Sequence, residues 1–258
     1  MMMNKIPEIN RARGYFLYTS SGKRYLDMAL DGGRLIMGHR QKGYGQALKN
    51  AIDKGILPGF PSPYVHRLKR AVKALVGGDC FVYLFKSEER AWEVLGSATP
   101  NPINDPIKGS PVFGNEVLEL SGLPVVIQLP VPVAFAPGVI VSKSELNLAE
   151  EPVSPVILAG AVRALYNLKA FLADVDYSGW EKAGIAEVCN GKWRVELPYL
   201  YPLCSKDKYP AVWDAFFKAG IILSCDYDTP SVLPPELSDG NRKKVLEMLG
   251  NLVVIKKK

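Results

Sequence analysis

The sequence predicts an α/β protein. Strand-like runs rich in β-branched and aromatic residues alternate with amphipathic helical segments along the chain. The apolar run Cys80–Phe85 leads directly into Ser87–Leu95, which is rich in helix formers and carries Ser at the N-cap position, and this is the strand–helix unit of a parallel sheet. With 258 residues and 48% hydrophobic content, the chain can bury the core of one large domain or two small ones.

The first 175 residues carry the clearest local signals. Tyr15–Thr19 and Arg24–Met28 flank a Gly-bearing turn and predict a β-hairpin. Other segments have apolar residues at the spacing of a helix or in a continuous strand-like run. These predict helices at Gly43–Asp53, Pro63–Val76 and Ser154–Leu172, and strands at Glu116–Leu120, Val125–Leu129 and Val139–Val141.

The last hundred residues predict a compact α+β unit. Strands are expected at Lys192–Leu197 and Ile221–Ser224, and helices at Tyr209–Lys218 and Ser238–Leu249. We therefore expect three parts: an N-terminal segment at 1–60, a reduced large domain at 61–156 and a small domain at 157–258.

Cysteine spacing, apolar segments and net charge limit which compartment and which partners are expected. The four cysteines have no metal-binding or redox spacing, and the N-terminus has no apolar signal region, so we expect a cytoplasmic protein. The uncharged stretch Leu123–Ser142 is broken by four prolines, which favours consecutive buried strands over a membrane helix. The net charge is +6, but the basic residues are dispersed and no nucleic-acid motif accompanies them. We expect neither membrane nor nucleic acid as a partner, and basic-surface binding of nucleic acid stays a minor alternative.

The N-terminal region resembles a known family. The run Gly14-Tyr-Phe-Leu-Tyr-Thr-Ser-Ser-Gly22-Lys-Arg-Tyr-Leu-Asp27, then Gly32-Gly33 and Met37-Gly38-His39, resembles the opening of class III pyridoxal-phosphate-dependent aminotransferases. The succession continues in order and spacing to about residue 96, and Ala219–Leu223 with Ser231–Leu237 resembles the family's small-domain tail. The resemblance implies a fold-type I architecture: a large domain with a mixed, mostly parallel sheet, and a small domain made from both chain ends. It also implies a homodimer and, for an active member, pyridoxal phosphate as cofactor with a small amino-group-bearing ligand.

The middle of the chain departs from that family in its phosphate site. The family places Ser-Gly-Thr-Glu-Ala after the first strand of the sheet, where small residues and helix amides surround the cofactor phosphate. Here the matching residues are Ser87-Glu88-Glu89-Arg90-Ala91, which place two carboxylates where a dianion is expected. Ser87 and Arg90 are the candidates for holding an anion at this position.

Two further residues of the family's chemistry are altered. No Asp-Glu-x-Gln motif, which supplies the acidic partner of the pyridine nitrogen, occurs between residues 97 and 153. A lysine at a strand end is the expected Schiff-base residue, and Lys143 after Gly138-Val-Ile-Val-Ser is the only candidate with that setting, although the Gly-rich segment that should follow is absent. Lys143 is therefore either the covalent lysine or a surface lysine.

Other constellations are weaker. His39 and His66 are the only histidines; we expect His39 to be a structural hydrogen-bonding residue at the start of a helix and His66 to face solvent. An aromatic group is either a core cluster or a partner-facing patch, and it comprises Trp193, Tyr199, Tyr201, Tyr209 and Trp213.

Two functions remain open from the sequence. The preferred one is a shortened aminotransferase-like protein with a degenerate active site that binds a ligand or pairs subunits without cofactor. The alternative is an active aminotransferase that uses Lys143.

Overall fold

The chain folds into two units, the first of which is discontinuous in sequence. A computed structural model describes residues 2–56, 60–76, 79–96 and 124–251. Unit 1 comprises Met1–His39 with Val175–Lys258, and unit 2 comprises Arg40–Asp174. This division differs from the boundaries at 60 and 156 predicted from the sequence. The reason is that two helices before residue 77 pack on the helix that follows residue 154, so all three belong to unit 2.

Unit 1 contains a four-stranded sheet built from both ends of the chain. The predicted hairpin is present as β2 (Phe16–Thr19) and β3 (Arg24–Asp27), which pair antiparallel, and β1 (Ile9–Arg13) pairs antiparallel with β2. The sheet is completed by β9 (Ile221–Ile222), which pairs parallel with β3. Sequence reasoning missed β1, because its polar residues lack an apolar alternation.

A second sheet of unit 1 has the order β10–β8–β7. Its antiparallel strands are β7 (Trp193–Glu196), β8 (Tyr199–Pro202) and β10 (Ser231–Val232). The helices of this unit are α5 (Ser178–Lys182), α6 (Ile185–Cys189), α7 (Tyr209–Lys218) and α8 (Asp239–Gly250). Most of the aromatic group lies in the core, because Trp193, Tyr199, Tyr209 and Trp213 are each at most 4% exposed.

Unit 2 is organised around one apolar helix. Helices α1 (Tyr44–Asp53) and α2 (Pro63–Val76) both pack on α4 (Pro155–Asp174), where Gly160 faces α1 and a Cβ there would lie 2.9 Å from Leu48 Cδ2. Within the described residues, α4 is the one helix long and apolar enough to cross a membrane. Its residues 158–162 are all buried, as in a core helix.

The sheet of unit 2 differs from the predicted one. Its described strands are β4 (Phe81–Phe85), β5 (Val125–Val126) and β6 (Gly138–Ser142), in the order β4–β6–β5, and both pairings are antiparallel. These three strands therefore differ from the mostly parallel sheet expected for the large domain. The connection from β5 to β6 holds a single 3-10 turn at Val133–Phe135, and it is too short for the helical crossover that parallel neighbours need. The predicted strand Glu116–Leu120 lies outside the described residues.

Helix α3 (Glu88–Val94) packs against β6 at Gly138. A Cβ at this position would overlap the carbonyl oxygen of Ser87 and lie 2.9 Å from the Cβ of Ala91. A glycine is therefore needed for the backbone of α3 to approach the strand this closely.

We expect Gly138→Ala to lower the free energy of unfolding by about 1–3 kcal/mol, because the added methyl overpacks the contact between α3 and β6. The measurement is urea unfolding followed by circular dichroism. Gly45→Ala is the matched control: a Cβ there meets nothing within 4 Å, so the stability should stay unchanged or rise by up to about 1 kcal/mol. Equal stability of the Gly138→Ala variant and the wild type would contradict the described packing.

Candidate active site

The strand register brings two strand ends to one edge of the unit 2 sheet. β4 ends at Phe85 opposite Gly138, the first residue of β6. β5 is also antiparallel to β6. The residue after β5, Ile127, remains beside β6, because its amide donates to the carbonyl oxygen of Val139 at 2.8 Å. The carboxyl ends of β4 and β5 therefore lie at the same edge, which we call the Gly138 edge. This edge is where a cofactor held at Ser87 would have to lie.

Ser87 acts as the N-cap of α3. Its hydroxyl oxygen accepts a hydrogen bond from the amide of Arg90 at 3.2 Å. This confirms the predicted cap, and it means that the hydroxyl already satisfies one of the open amides at the start of the helix. The carbonyl of Ser87 faces Gly138, so the backbone of α3 itself occupies the space beside the strand.

Arg90 is held by two carboxylates. Its Nε donates to Glu151 Oε1 at 2.7 Å and its Nη1 donates to Glu93 Oε2 at 3.0 Å. The hydrogen bond from Arg90 lowers the pKa of the Glu151 carboxyl, and the hydrogen bond to Glu151 raises the pKa of the Arg90 guanidinium. The guanidinium charge is therefore already offset by two carboxylates, which weakens its attraction for an incoming anion.

Carboxylates dominate the surroundings of this helix start. Glu88 is 7% exposed, and Glu89 follows it in the first turn of α3. Glu150 accepts hydrogen bonds from the amide of Leu84 at 2.9 Å and from Lys69 Nζ at 2.6 Å. Glu93, Glu150 and Glu151 are paired with Arg90 or Lys69, while the two glutamates of the first turn favour the helix dipole and place carboxylates where a phosphate would bind.

Lys143 lies at the other end of the sheet. It follows Ser142, which is paired with Phe81 at the start of β4, and it is exposed. At about 3.3 Å per residue, the length of β4 separates Lys143 from Ser87 by about 16 Å. The structure thus brings Ser87 and Arg90 together but does not bring Lys143 to them.

The Gly138 edge also lacks a buried lysine where β5 ends. The chain leaves β5 through Ile127-Gln-Leu-Pro-Val-Pro132, a segment without charge in which Ile127, Leu129 and Val131 are all 0% exposed. Lys86 lies at this edge after β4, but it is exposed and lacks the burial that activates a Schiff-base lysine. The residues described at this edge therefore do not fit pyridoxal phosphate.

Comparisons with known proteins give the fold its context. No family model matches the chain. An uncharacterized protein of Borreliella burgdorferi is 26% identical over 97% of this chain and 94% of its own length. Glutamate-1-semialdehyde 2,1-aminomutase of Heliobacterium modesticaldum is 38% identical over 64 residues, which are 25% of this chain and 15% of that protein.

Solved structures show which fold the chain shares. Ornithine aminotransferase of Plasmodium yoelii superposes with a TM-score of 0.71 at 13% identity, covering 94% of this chain and 92% of that chain. The ornithine aminotransferase of Toxoplasma gondii, whose structure shows partial occupancy of PLP at its active site, gives a TM-score of 0.67 at 11% identity over 95% and 90% of the two chains. The chain is a shortened protein with the class III aminotransferase fold. The predicted fold-type I class is thereby confirmed.

His39 has a structural role in unit 1. Its Nε2 lies 2.8 Å from Asp27 Oδ2, and its amide donates to the carbonyl of Gly14 at 2.6 Å. Asp27, which is 6% exposed, also accepts hydrogen bonds from the amides of Ala29 and Leu30. His39 is a hydrogen-bonding residue as expected. It was expected at the start of a helix, but it closes a loop, and α1 starts five residues later at Tyr44. Sequence reasoning missed Asp27 as its partner, and the only available signal was a carboxylate at the end of an apolar strand.

Thiol and metal chemistry have no support in the described residues. Cys80 and Cys189 are buried, and burial raises the pKa of the Cys189 thiol to about 11 and also raises that of Cys80. The thiols therefore stay protonated and unreactive at neutral pH. The described residues contain no group of three or more His, Cys, Asp or Glu placed to hold a metal ion.

We expect Arg90→Gln to raise the pKa of the Glu151 carboxyl towards its ordinary value, because the substitution removes the cation that stabilises the carboxylate. Carboxyl ¹³C shifts recorded across an acidic pH titration measure this change. Lys143→Gln removes the same charge at the far end of β4 and should leave the Glu151 titration unchanged. A similar shift in both variants would contradict the separation of the two ends.

Proposed function

We propose that this chain has lost ordinary transamination and acts as a binding or subunit-pairing protein. The observation that carries the proposal is the antiparallel pairing of β4 with β6, which keeps Lys143 about one strand length, or about 16 Å, from Ser87 and Arg90. An aldimine lysine and a phosphate site must hold the two ends of the same small cofactor. Residues at opposite ends of a strand do not meet that requirement.

The electrostatics of the Gly138 edge support the same proposal. A cofactor phosphate carries close to two negative charges at neutral pH, and Glu88 and Glu89 occupy the first turn of α3 where it would bind. Arg90, in the first turns of the same helix, is already paired with Glu93 and Glu151. A dianion bound there would lie beside several carboxylates and would find the charge of Arg90 already offset.

Exposed apolar side chains support the pairing part of the proposal. In unit 2, Val133 and Phe135 lie in the turn between β5 and β6 and are 47% and 48% exposed. Phe60 is 63% exposed. The homodimer itself is what the resemblance to the family implies, and we infer that Val133 and Phe135, adjacent in the same turn, lie in the contact of a cytoplasmic dimer.

We expect no stoichiometric internal aldimine. Purified protein is mixed with pyridoxal phosphate, its visible spectrum is recorded, and the mixture is reduced with borohydride and mapped by peptide mass spectrometry. Wild-type protein should keep no yellow band after gel filtration. Residual labelling should be spread over exposed lysines, with Lys143 labelled no more than Lys86.

The Lys143→Ala variant is the control for this experiment, and its spectrum should match that of the wild type. A single lysine labelled one-to-one, together with a band that shifts on addition of an amino acid, would overturn the loss of transamination. The identity of that lysine would then separate the active enzyme that uses Lys143 from one that uses another residue.

We expect the protein to sediment as a dimer and Phe135→Asp to shift it towards the monomer, because a carboxylate at an apolar contact is costly to desolvate. Sedimentation velocity at several concentrations measures the distribution. Leu203→Asp is the matched control: Leu203 is 54% exposed in unit 1, and its replacement should leave the dimer intact. A monomeric wild type would remove the pairing proposal, and disruption by Leu203→Asp alone would move the contact to unit 1.

A further inference from the structure

One face of the four-stranded sheet in unit 1 collects basic and aromatic side chains. Residues opposite each other in a β-ladder present their side chains to the same face. The register pairs Tyr18 of β2 with Arg11 of β1 on one side and with Arg24 of β3 on the other. It also pairs Phe16 with Arg13. Three arginines and two aromatic rings therefore share one face of the sheet, which we call the Arg11 face.

The Arg11 face is the solvent side of the sheet. Thr19, Tyr25 and Asp27 alternate with its residues along β2 and β3, so they point to the opposite side, and all three are buried. By contrast, the three arginines of the Arg11 face are exposed and its two rings are half-buried. The β9 end of the face is covered by α8, where Leu26 and Val245 are buried. The part formed by β1 and β2 is thus accessible to a partner.

Two of the arginines lie over the rings. The Cζ atom of Arg11 is 4.4 Å from the centre of the Tyr18 ring, and that of Arg24 is 4.5 Å from the centre of the Phe16 ring. A guanidinium is planar, so one that covers a ring with one face leaves its other face and its N–H donors to solvent. Phe16 and Tyr18 are two residues apart on one strand, which places the two layers of ring and guanidinium about 7 Å apart.

The positive charge of this face is not offset within the described residues. Its three arginines form no ion pair there. The stretch 9–26 holds four basic residues and no Asp or Glu. Arg194 in the second sheet of unit 1 differs, because it lies over Tyr201 at 4.1 Å but is also paired with Glu196 at 3.4 Å. Strand register thus groups basic residues that are dispersed along the sequence.

We propose that the Arg11 face binds single-stranded nucleic acid. Unpaired bases stack on aromatic rings and on guanidinium planes, and phosphates accept hydrogen bonds from guanidinium N–H groups. The open sheet offers both kinds of contact in neighbouring rows. This site goes beyond the proposed function, because it uses no residue of the Gly138 edge and none of the apolar turn at Val133–Phe135.

The rings distinguish this partner from other polyanions. A duplex keeps its bases stacked inside the helix, so the phosphates would be its main contact with the face. An acidic protein surface would use the arginines in the same way and leave the rings without a role. Rings and arginines that alternate across the same rows therefore favour unpaired bases over either of these partners.

The test is fluorescence anisotropy of a short labelled oligothymidylate titrated with the full chain at several salt concentrations. We expect a dissociation constant on the order of 10 µM at about 50 mM salt. A duplex of the same length and a polyglutamate peptide should each bind at least about fivefold more weakly. Equal affinity for the duplex or for polyglutamate would overturn the single-stranded assignment, and a lack of binding to oligothymidylate at low salt would overturn the site.

Substitutions of tyrosine test the stacking. Tyr18→Leu removes a ring without changing the charge, so it should weaken oligothymidylate binding by about fivefold or more. Tyr18→Phe keeps the ring and should bind as the wild type does, which separates stacking from a general loss of structure. Tyr166→Leu is the matched control, since Tyr166 is an exposed tyrosine of α4 in unit 2. Wild-type affinity in Tyr18→Leu would overturn the role of the rings.

Substitutions of arginine test the phosphate contacts. Arg11→Gln and Arg24→Gln should each reduce the slope of log K against log salt concentration by about 0.7, because each removes one cation that neutralises a phosphate. Arg194→Gln is the matched control: it removes an arginine that also covers a ring but lies outside the face, and it should leave the slope unchanged. An equal change with Arg194→Gln would show a general charge effect and overturn the site.

Discussion

The antiparallel register of β6 with β4 governs what unit 2 can do. Phe85 is opposite Gly138 and Phe81 is opposite Ser142, so β6 runs away from the start of α3, and Lys143, which follows it directly, lies at the other end of the sheet. β5 lies on the other side of β6 and runs in the same direction as β4, so its carboxyl end also lies at the Gly138 edge. The strand ends at that edge are therefore those of β4 and β5, and Glu150 and Glu151 return to it from the segment before α4. No change of side-chain conformation at Lys143 compensates for about one strand length.

The Gly138 edge is stabilised by the same features that make it a poor anion site. Ser87 caps α3, the two glutamates of the first turn favour the helix dipole, and Arg90 joins α3 to Glu151. Glu150 accepts from the backbone of β4, which fixes the segment before α4 against the sheet. Each contact uses a donor or a charge that a cofactor would otherwise need. The contacts that stabilise this edge locally are thus the same ones that disfavour a phosphate there.

Unit 1 retains the part of the fold in which both chain ends meet. The parallel pairing of β3 with β9 joins residues nearly two hundred positions apart, and the contact between Asp27 and His39 closes the loop that follows β3. Leu30 and Asp31 adopt left-handed backbone conformations in that loop, and the amide hydrogen bonds to Asp27 hold it. The region that resembles class III aminotransferases thus includes a loop held by structural contacts, which a protein needs whether or not it is an enzyme.

The sequence by itself determined the elements with strong local signals. Helices α2 and α7 begin and end where their apolar spacing predicts, the cap at Ser87 is present, and the hairpin of β2 and β3 follows from its Gly-bearing turn. The order of motifs around residues 14–96 was also enough to predict the fold-type I class. These features depend on interactions between residues close in sequence, which a single chain reveals.

Tertiary structure decided the rest, because it depends on contacts between residues far apart. The short connection between β5 and β6 accounts for the antiparallel direction of that pair. β4 also pairs antiparallel with β6, whereas the strand–helix unit at Cys80–Leu95 had indicated a parallel sheet. The role of Arg90 depended on Glu151, which is 61 residues away, and the burial of Trp193 and Trp213 depended on packing in unit 1. Only the folded chain could show that Lys143, which has the expected strand-end setting, lies at the wrong end of the sheet to meet Ser87.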